Sequence, residues 1–203
     1  LLFEKVKEAL FLLDEGENSI RHNRSRDIPK LRLGASSTLT RYVLLSHLEN
    51  YIAHFPHVRI TISCQSTYQT LHLLDEEKID LGLIGRPQKL RGYYFHPLLK
   101  IRDTFVCTRQ YLENQKKLYP DEPLIQAATF MMLDEDNITR QTVNAQLKEH
   151  HVELSHILEV TTMDLLIQFA EIGLGIACVI RDFVKKELEE GTLVEVPVGF
   201  SFP

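Results

Sequence analysis

The feature that most constrains the fold is a regular alternation of strand and helix patterns between residues 31 and 85. Two segments of helical spacing separate three segments whose apolar alternation or short apolar runs are typical of strands: Leu31–Ala35, Val58–Cys64 and Asp80–Gly85. Two consecutive strand–helix–strand units predict a parallel sheet with right-handed crossovers. The apolar run of the third segment predicts a strand that is buried on both faces.

The same alternation returns in the second half of the chain, and it predicts an α/β fold with two α/β lobes. The strand patterns there are Tyr94–Lys100, Asp103–Thr108, Phe130–Leu133, Ile157–Val160, Ile176–Ile180 and Leu193–Pro197. The helical patterns cover about 110–118, 139–150, 163–171 and 183–190.

The composition is that of a soluble globular protein, with 44% apolar and 25% charged residues. The net charge is −5, and the only basic cluster, Arg21 to Arg26, is short and is interpreted as a solvated linker. Both features argue against nucleic-acid binding by this chain alone.

No apolar run is long enough to cross a bilayer, and the first residues lack the pattern of a signal peptide. Three isolated cysteines fit reduced thiols, so we expect a cytoplasmic protein without membrane contact.

Hydroxyl side chains follow the first two predicted strands. Ser36, Ser37 and Thr38 come after the first strand, and Ser66 and Thr67 come after the second. Ligands of open parallel sheets bind at the carboxyl ends of strands, and helix N-termini with hydroxyls suit a carboxylate or phosphate. Helix N-capping explains either cluster alone. The pair of clusters therefore leaves two interpretations open, plain capping and a ligand cleft.

Other polar groups give weaker signals. Arg86 follows the third strand, where it could meet an anion, although a surface arginine in a loop is the simpler interpretation. The acidic run Asp134–Asp136 fits a helix N-terminus better than a calcium loop. The sequence contains no HExxH, GxSxG, Walker A or GxGxxG motif. We therefore predict no catalytic residues, no metal and no cofactor, which favours binding over catalysis.

Several segments together resemble one family. Gly34 precedes the hydroxyl cluster and a helix that ends at Phe55 and Pro56, and Lys78–Ile84 joins a helix to a strand with an acidic start. Gly173–Ala177 is similar to a late glycine-containing signature. In this order and spacing, the segments resemble the C-terminal effector-binding (substrate-binding) domain of LysR-type transcriptional regulators.

The resemblance implies a fold like that of type-II periplasmic binding proteins, with two lobes, a cleft and two crossovers. The expected division is 1–26 for the end of a linker helix and a basic connector, 27–102 for lobe I, and 103–203 for lobe II with the return crossover. Heptad spacing of apolar residues before Gly16 fits the linker helix. The resemblance also implies that DNA is bound only through an N-terminal domain that is absent from this chain.

The resemblance implies that a small-molecule effector, with a small carboxylate as one candidate, binds between the lobes and that the domain forms a homodimer or tetramer. In the dimer, helix 40–55 of one subunit would meet a second-lobe helix such as 139–150. Together with Thr38 and Arg86 from the strand-end argument, the predicted effector-binding residues are Ser36, Ser37, Thr38, Thr67, Arg86, Asn137, Ile138, Thr139, Thr161 and Thr162.

Two alternatives share this fold. A solute-binding protein of a transport system would need export or a lipid anchor, and neither is visible in the sequence. An enzyme would need an acid–base or nucleophile set, and no such motif is recognisable. The leading hypothesis is therefore the effector-sensing regulatory domain of a LysR-type DNA-binding transcriptional regulator.

Overall fold

The chain forms two separate β-sheets in a computed structural model that describes residues 28–87, 92–200 and 202. The predicted linker helix and basic connector, 1–26, lie outside the described residues. No helix within the described residues is long and apolar enough to cross a membrane.

The first sheet has three parallel strands, as the alternation predicts. They are β1 (Lys30–Ala35), β2 (Arg59–Cys64) and β3 (Leu81–Leu83), in the order β2-β1-β3. Each connection between these strands contains one helix, so the carboxyl ends of all three strands lie at one edge of the sheet.

Helix α1 follows β1 and begins with Ser37–Leu39, continues as a π-helical segment, Thr40–Leu44, and ends with Leu45–His54. It ends just before Pro56, as predicted, because the residue that precedes a proline is sterically disfavoured in the helical conformation. Helix α2 (Thr67–Asp75) connects β2 to β3.

The second sheet has five strands in the order β6-β5-β7-β4-β8. The strands are β4 (Asp103–Cys107), β5 (Thr129–Met132), β6 (His156–Glu159), β7 (Ile176–Ile180) and β8 (Val194–Glu195). Strands β6, β5 and β7 are parallel, whereas β4 runs antiparallel to both β7 and β8. The helices are α3 (Arg109–Leu118), α4 (Leu124–Ala127), α5 (Ile138–Glu149), α6 (Met163–Glu171) and α7 (Lys185–Glu190), and a 3-10 turn, Arg181–Val184, precedes α7.

Both faces of the second sheet are covered by apolar clusters. Phe105 and Phe130 belong to the cluster on one face, and Met131 and Val179 belong to the cluster on the other. Alternate residues of one strand supply opposite faces, so every residue of β7 is buried. The second sheet and the segments packed on it therefore contain most of the fully buried side chains among the described residues.

After β8 the chain continues beside β4. The Val196 amide donates to the Phe105 carbonyl at 2.8 Å. Phe202 contacts the ring of Phe105, with centroids 5.6 Å apart, and Phe200 stacks on His150 at 4.2 Å. The chain therefore enters the second sheet through β4, and its last described residues pack beside the same strand.

Helix α2 approaches the first sheet closely because two glycines lie beneath it. Gly34 and Gly82 are register partners on β1 and β3. A Cβ atom at either glycine would lie 2.9 Å from Cγ2 of Thr70, which is closer than ordinary van der Waals contact. The absence of a side chain at both positions therefore sets the distance between helix and sheet.

Two sequence predictions are wrong in this region. The segment 94–100 forms no strand, and Tyr94 is 97% exposed; the segment contains Pro97, which has no amide to donate to a strand ladder. The strand expected over 80–85 is only Leu81–Leu83, and it is not buried on both faces, since Leu81 is 60% exposed. The physical reason is its position at the edge of a sheet of only three strands.

Candidate functional site

Four helices of this fold begin directly after a parallel strand, and each N-terminus is capped by a polar side chain. The cap accepts a hydrogen bond from a backbone amide in the first turn, which satisfies one of the free N–H groups. The cap atoms and amides are Ser36 Oγ and Leu39 N at 3.1 Å for α1, Ser66 Oγ and Gln69 N at 3.3 Å for α2, Asn137 Oδ1 and Thr139 N at 2.9 Å for α5, and Thr162 Oγ1 and Leu165 N at 3.3 Å for α6.

The capped ends of the two sheets face each other. Gly85, just after β3, lies so close to α5 that a Cβ atom there would be 2.8 Å from Cγ2 of Ile138. The Tyr68 hydroxyl, at the start of α2, donates to Oε1 of Gln141 on α5 at 3.1 Å. The predicted wall around Ile138 therefore lies against the carboxyl end of the first sheet.

A third contact between the sheets joins α1 to α6. The Tyr42 hydroxyl donates to Oδ1 of Asp164 at 3.0 Å, and Nη1 of Arg41 lies 3.1 Å from the same oxygen. Burial and the hydrogen bond to Asp164 raise the pKa of Tyr42 to about 12, so the phenol stays protonated and donates. Helices α1 and α6, which Ser36 and Thr162 cap, are therefore tied together.

The other predicted residues differ in access to solvent. Ser37 and Thr161 are exposed, Thr38 and Thr139 are half-buried, and Thr67 is buried. A serine or threonine hydroxyl that accepts an amide hydrogen bond still has its own O–H to donate, so capping and ligand binding are compatible at Ser36 and Thr162.

Arg86 follows Gly85, the residue that lies against α5. Its guanidinium carbon lies 5.6 Å from the centroid of the Phe95 ring, in the segment that leads to the second sheet. Arg86 is exposed there, which fits the surface-arginine interpretation of the sequence.

Sequence reasoning missed Arg140, which belongs to the first turn of α5 and is only 4% exposed. Its Nη1 donates to the carbonyl of Leu133 at 2.9 Å, and its Nε donates to Oδ1 of Asn144 at 3.0 Å. The carboxylate of Glu159, at the end of β6, is 3.9 Å away. The signal was available, because residues 140, 143 and 147 have the spacing of one apolar helix face and an arginine occupies the first position.

Groups of both signs lie at these strand ends, including Glu159, which is 3.9 Å from Arg140. Four helix N-termini and the buried guanidinium of Arg140 contribute positive potential. The acidic run Asp134–Asp136 is exposed in the neighbouring loop and opposes it. Among residues 28–87 and 92–200, no group of three or more His, Cys, Asp or Glu side chains is arranged to hold a metal ion.

Two cysteines of the second sheet are poor candidates for thiol chemistry. Burial raises the pKa of Cys107 to about 12 and also raises the pKa of Cys178. Both thiols therefore stay protonated at neutral pH, and the thiolate is the reactive form.

Comparison with known proteins connects this geometry to one family. The family model of the LysR substrate binding domain matches residues 24–203. The uncharacterized HTH-type transcriptional regulator YeiE of Escherichia coli K12 is 24% identical over 201 residues, which cover 94% of this chain and 64% of YeiE. The HTH-type transcriptional regulator CbbR of Rhodospirillum rubrum is 23% identical over 198 residues, which cover 98% of this chain and 65% of CbbR. The chain thus spans slightly less than two thirds of these relatives.

Solved structures show the same fold. A mutant regulatory domain of OxyR2 from Vibrio vulnificus has a TM-score of 0.68 and 19% identity, and the match covers 88% of this chain and 85% of that one. The regulatory domain of CcmR from Synechocystis, in complex with 2-PG, has a TM-score of 0.66, 19% identity and coverages of 82% and 79%. The effector binding domain of QuiR, in complex with shikimate, has a TM-score of 0.64, 13% identity and coverages of 87% and 85%. The two-lobe α/β fold expected from the sequence is therefore confirmed.

Proposed function

Because the chain belongs to the LysR substrate binding domain family, we propose that it is the effector-sensing regulatory domain of a LysR-type transcriptional regulator. The family match over residues 24–203 is the observation that carries this proposal. DNA would be bound by an N-terminal domain outside this chain. Residues 1–26 would join the two domains, 27–102 would form lobe I and 103–203 would form lobe II. A regulator that acts on DNA in a bacterium works in the cytoplasm, which is the proposed location.

The effector would bind between the capped helix ends of the two lobes. Ser36, Ser37, Thr38 and Thr67 would contact it from the first lobe. Effector binding would stabilise one lobe arrangement over another, and the difference in affinity between the arrangements would set the response. From the second lobe, and from the loop after β3, the proposed contacts are Asn137, Ile138, Thr139, Thr161, Thr162 and Arg86.

A small carboxylate or phosphate ester is the proposed effector class. The free amides of the capped helix ends favour negative charge, and the buried guanidinium of Arg140 in the first turn of α5 adds positive charge that Glu159, 3.9 Å away, partly balances. CcmR with 2-PG and QuiR with shikimate show that relatives of this fold hold small acids. The exposed Asp134–Asp136 run would limit the negative charge that the site accepts on that side.

A homodimer, alone or paired into a tetramer, is the proposed assembly. Helix α1 exposes Leu45 (54%) and Ile52 (51%), which lie seven residues apart on one face. The exposed residues of α5 are mostly polar, so the partner helix suggested by sequence, 139–150, offers little apolar surface. We propose instead that α1 of one subunit meets the region of α6, where Leu165 and Ile172 are 38% and 75% exposed.

The domain would bind its effector without turnover. The family consists of transcriptional regulators, and the family match gives no support to the alternative of a transport protein. Incubation of a bound acid with the protein, followed by mass spectrometry, should recover the acid unchanged. Conversion of the acid would revive the enzyme alternative.

Thermal-shift titration of the 203-residue chain tests the proposed function. The panel contains shikimate, 2-PG, other small carboxylates, amino acids and sugar phosphates. A ligand at 100 times its Kd adds about 2.7 kcal/mol, which raises Tm by about 5–11 °C at this size. The hit should lose affinity in Thr67→Val and in Ser37→Ala, whereas Tyr93→Phe, a change outside the proposed site, should keep it. Equal affinity in all variants would contradict the proposed cleft.

A further inference from the structure

We propose that Arg41, Tyr42, Asp164 and Phe183 form an interlobe latch, which fixes the separation of the two lobes and thereby tunes the affinity of the effector cleft. The part concerning affinity rests on the proposed function. The part concerning lobe separation rests on contacts alone.

The apolar half of the latch is a half-buried side chain of one lobe that packs against the core of the other. Tyr42 belongs to α1, which follows β1, but its ring packs against the second-sheet cluster that contains Leu166 and Val179. It stacks on Phe183 with a centroid distance of 4.2 Å and an interplanar angle of 6°. Separation of the lobes would expose both rings to water, so the stack favours the arrangement in which the lobes touch.

The polar half of the latch converges on one oxygen. The Tyr42 hydroxyl and Nη1 of Arg41 lie 3.0 Å and 3.1 Å from Oδ1 of Asp164. The guanidinium carbon of Arg41 is also 5.5 Å from the centroid of the Tyr42 ring. Two donors from α1 therefore hold a carboxylate in the first turn of α6, and the pair is more directional than either bond alone.

The position of the latch links it to the cleft. Asp164 lies two residues after Thr162, which caps α6, and Tyr42 lies six residues after Ser36, which caps α1. Arg41 and Tyr42 belong to the π-helical segment, Thr40–Leu44, and π-helical turns recur at functional sites. A change in latch geometry would therefore move two of the capped helix ends relative to each other.

A quantitative consequence follows for effector binding. An effector that contacts both lobes binds the latched arrangement, and its apparent Kd increases as the latched fraction decreases. Another interlobe hydrogen bond joins the exposed Tyr68 to Gln141. No ring of the described residues stacks on Tyr68 and the bond is open to solvent, so we expect it to contribute less.

Distance measurement on the protein without added ligand tests the latch. Spin labels are placed by Arg59→Cys on β2 and Lys148→Cys on α5, exposed positions outside the proposed α1–α6 subunit interface, in a Cys64→Ser background. The labelled protein is diluted with unlabelled protein, so that distances between subunits are not recorded. The Cys64→Ser background is needed because Cys64 is the exposed thiol, whereas Cys107 and Cys178 are buried. Double electron–electron resonance then reports the distribution of the interlobe distance.

Tyr42→Phe keeps the stack and loses the hydrogen bond, whereas Tyr42→Ala loses both. We expect a broader distribution in Tyr42→Phe and a broader and longer one in Tyr42→Ala. Tyr93→Phe is the matched control, because its hydroxyl also donates to a carboxylate, Asp75 at 2.6 Å, but within the first lobe. If Tyr42→Ala does not fold, Asp164→Ala replaces it.

The outcomes separate the latch from the proposed function. An unchanged distribution in the folded Tyr42 and Asp164 variants, or an equal change in Tyr93→Phe, overturns the latch. With shikimate or 2-PG as the probe, Tyr42→Phe should weaken binding about 2–10-fold and Tyr93→Phe should leave it unchanged. Absence of binding by either acid to the parent protein counts against the proposed effector class, and the distance result still decides the latch.

Discussion

The two sheets are built from the same strand–helix units but differ in how completely they are covered. In the second sheet, apolar clusters cover both faces and every residue of β7 is buried. In the first sheet, the edge strand β3 leaves Leu81 60% exposed, and helix α2 is held close by glycines rather than by interdigitated side chains. We therefore expect the second sheet to act as a rigid frame and the first sheet to have the smaller margin of stability.

The test with the largest expected change in unfolding free energy makes a leucine-to-alanine substitution in each of the two regions. Leu166→Ala, at a position that is 0% exposed beneath the second sheet, should cost about 3–5 kcal/mol of unfolding free energy because it leaves a cavity in a tight core. Leu48→Ala on α1, where the leucine is 9% exposed, should cost about 2–3 kcal/mol because water can fill part of the space. Urea denaturation measures the unfolding free energy of both variants. Equal losses would contradict the difference in packing between the two sheets.

A buried carboxyl, that of Asp103, makes the stability of the second sheet depend on pH. Burial raises the pKa of Asp103 to about 7, and its Oδ1 has no hydrogen-bond partner within the described residues. The folded-state pKa of Asp103 lies above the unfolded value near 4. The contribution of Asp103 to stability is therefore fully present below about pH 4 and is lost as the pH rises through about 7. The decrease should be about 2–4 kcal/mol, and Asp103→Asn should abolish most of it.

Urea denaturation of the parent protein and Asp103→Asn between pH 4 and pH 8 provides the measurement. Asp80→Asn is the control, because the hydrogen bond from Arg32 holds the pKa of Asp80 below its usual range. Its contribution therefore has the opposite sign and is lost as the pH falls. The same change in stability between pH 4 and pH 8 in the parent protein and in Asp103→Asn would refute the assignment to Asp103.

The glycine contact of the first sheet is the third test. Gly82→Ala would place Cβ 2.9 Å from Cγ2 of Thr70 and 3.1 Å from Cδ1 of Leu74, so it should cost about 1–3 kcal/mol. Thr70→Ser removes that Cγ2 atom, and the double variant should recover part of the loss, which a double-mutant cycle would measure. Additive costs would show that the helix–sheet distance is not set at this glycine.

The smallest expected change in unfolding free energy comes from the replacement of a buried hydroxyl, that of Thr70. Thr70 is 0% exposed, and its Oγ1 accepts and donates no hydrogen bond to any described residue. Thr70→Val should therefore raise the unfolding free energy by about 0.5–1 kcal/mol, since a methyl replaces an unsatisfied polar group. The reverse change in the frame, Val179→Thr, should lower it by about 1–3 kcal/mol. Calorimetric Tm values that fall in both variants would contradict this account.

Local patterns predict the elements of this fold well, since apolar alternation and helical spacing depend on neighbours in sequence. The strand at 176–180 and the helix at 163–171 have the predicted bounds. The prediction fails where burial depends on distant parts of the chain. The segment 94–100 has the composition of a strand but no partner, and residues 80–85 form an edge that the sequence alone cannot distinguish from a central strand.

The residues of the candidate site also divide into those that local sequence patterns predict and those that depend on distant parts of the chain. The caps at Ser36 and Thr162 could be predicted, because capping is a local property of the residue before a helix. The pairing of Tyr42 with Asp164 joins residues 122 positions apart and leaves no local pattern. Arg140 lies between these cases, because its place on an apolar helix face is visible in the sequence but its partners at Leu133 and Asn144 are not.

The last described residues lie beside the strand through which the chain enters the second sheet. Strand β4 begins at Asp103, the Val196 amide donates to the Phe105 carbonyl on the same strand, and Phe202 contacts the Phe105 ring. One strand therefore holds the first and the last segments of the second lobe together. A displacement of the chain at Asp103 would reach the C-terminal residues through β4 alone, without passing through the rest of the sheet.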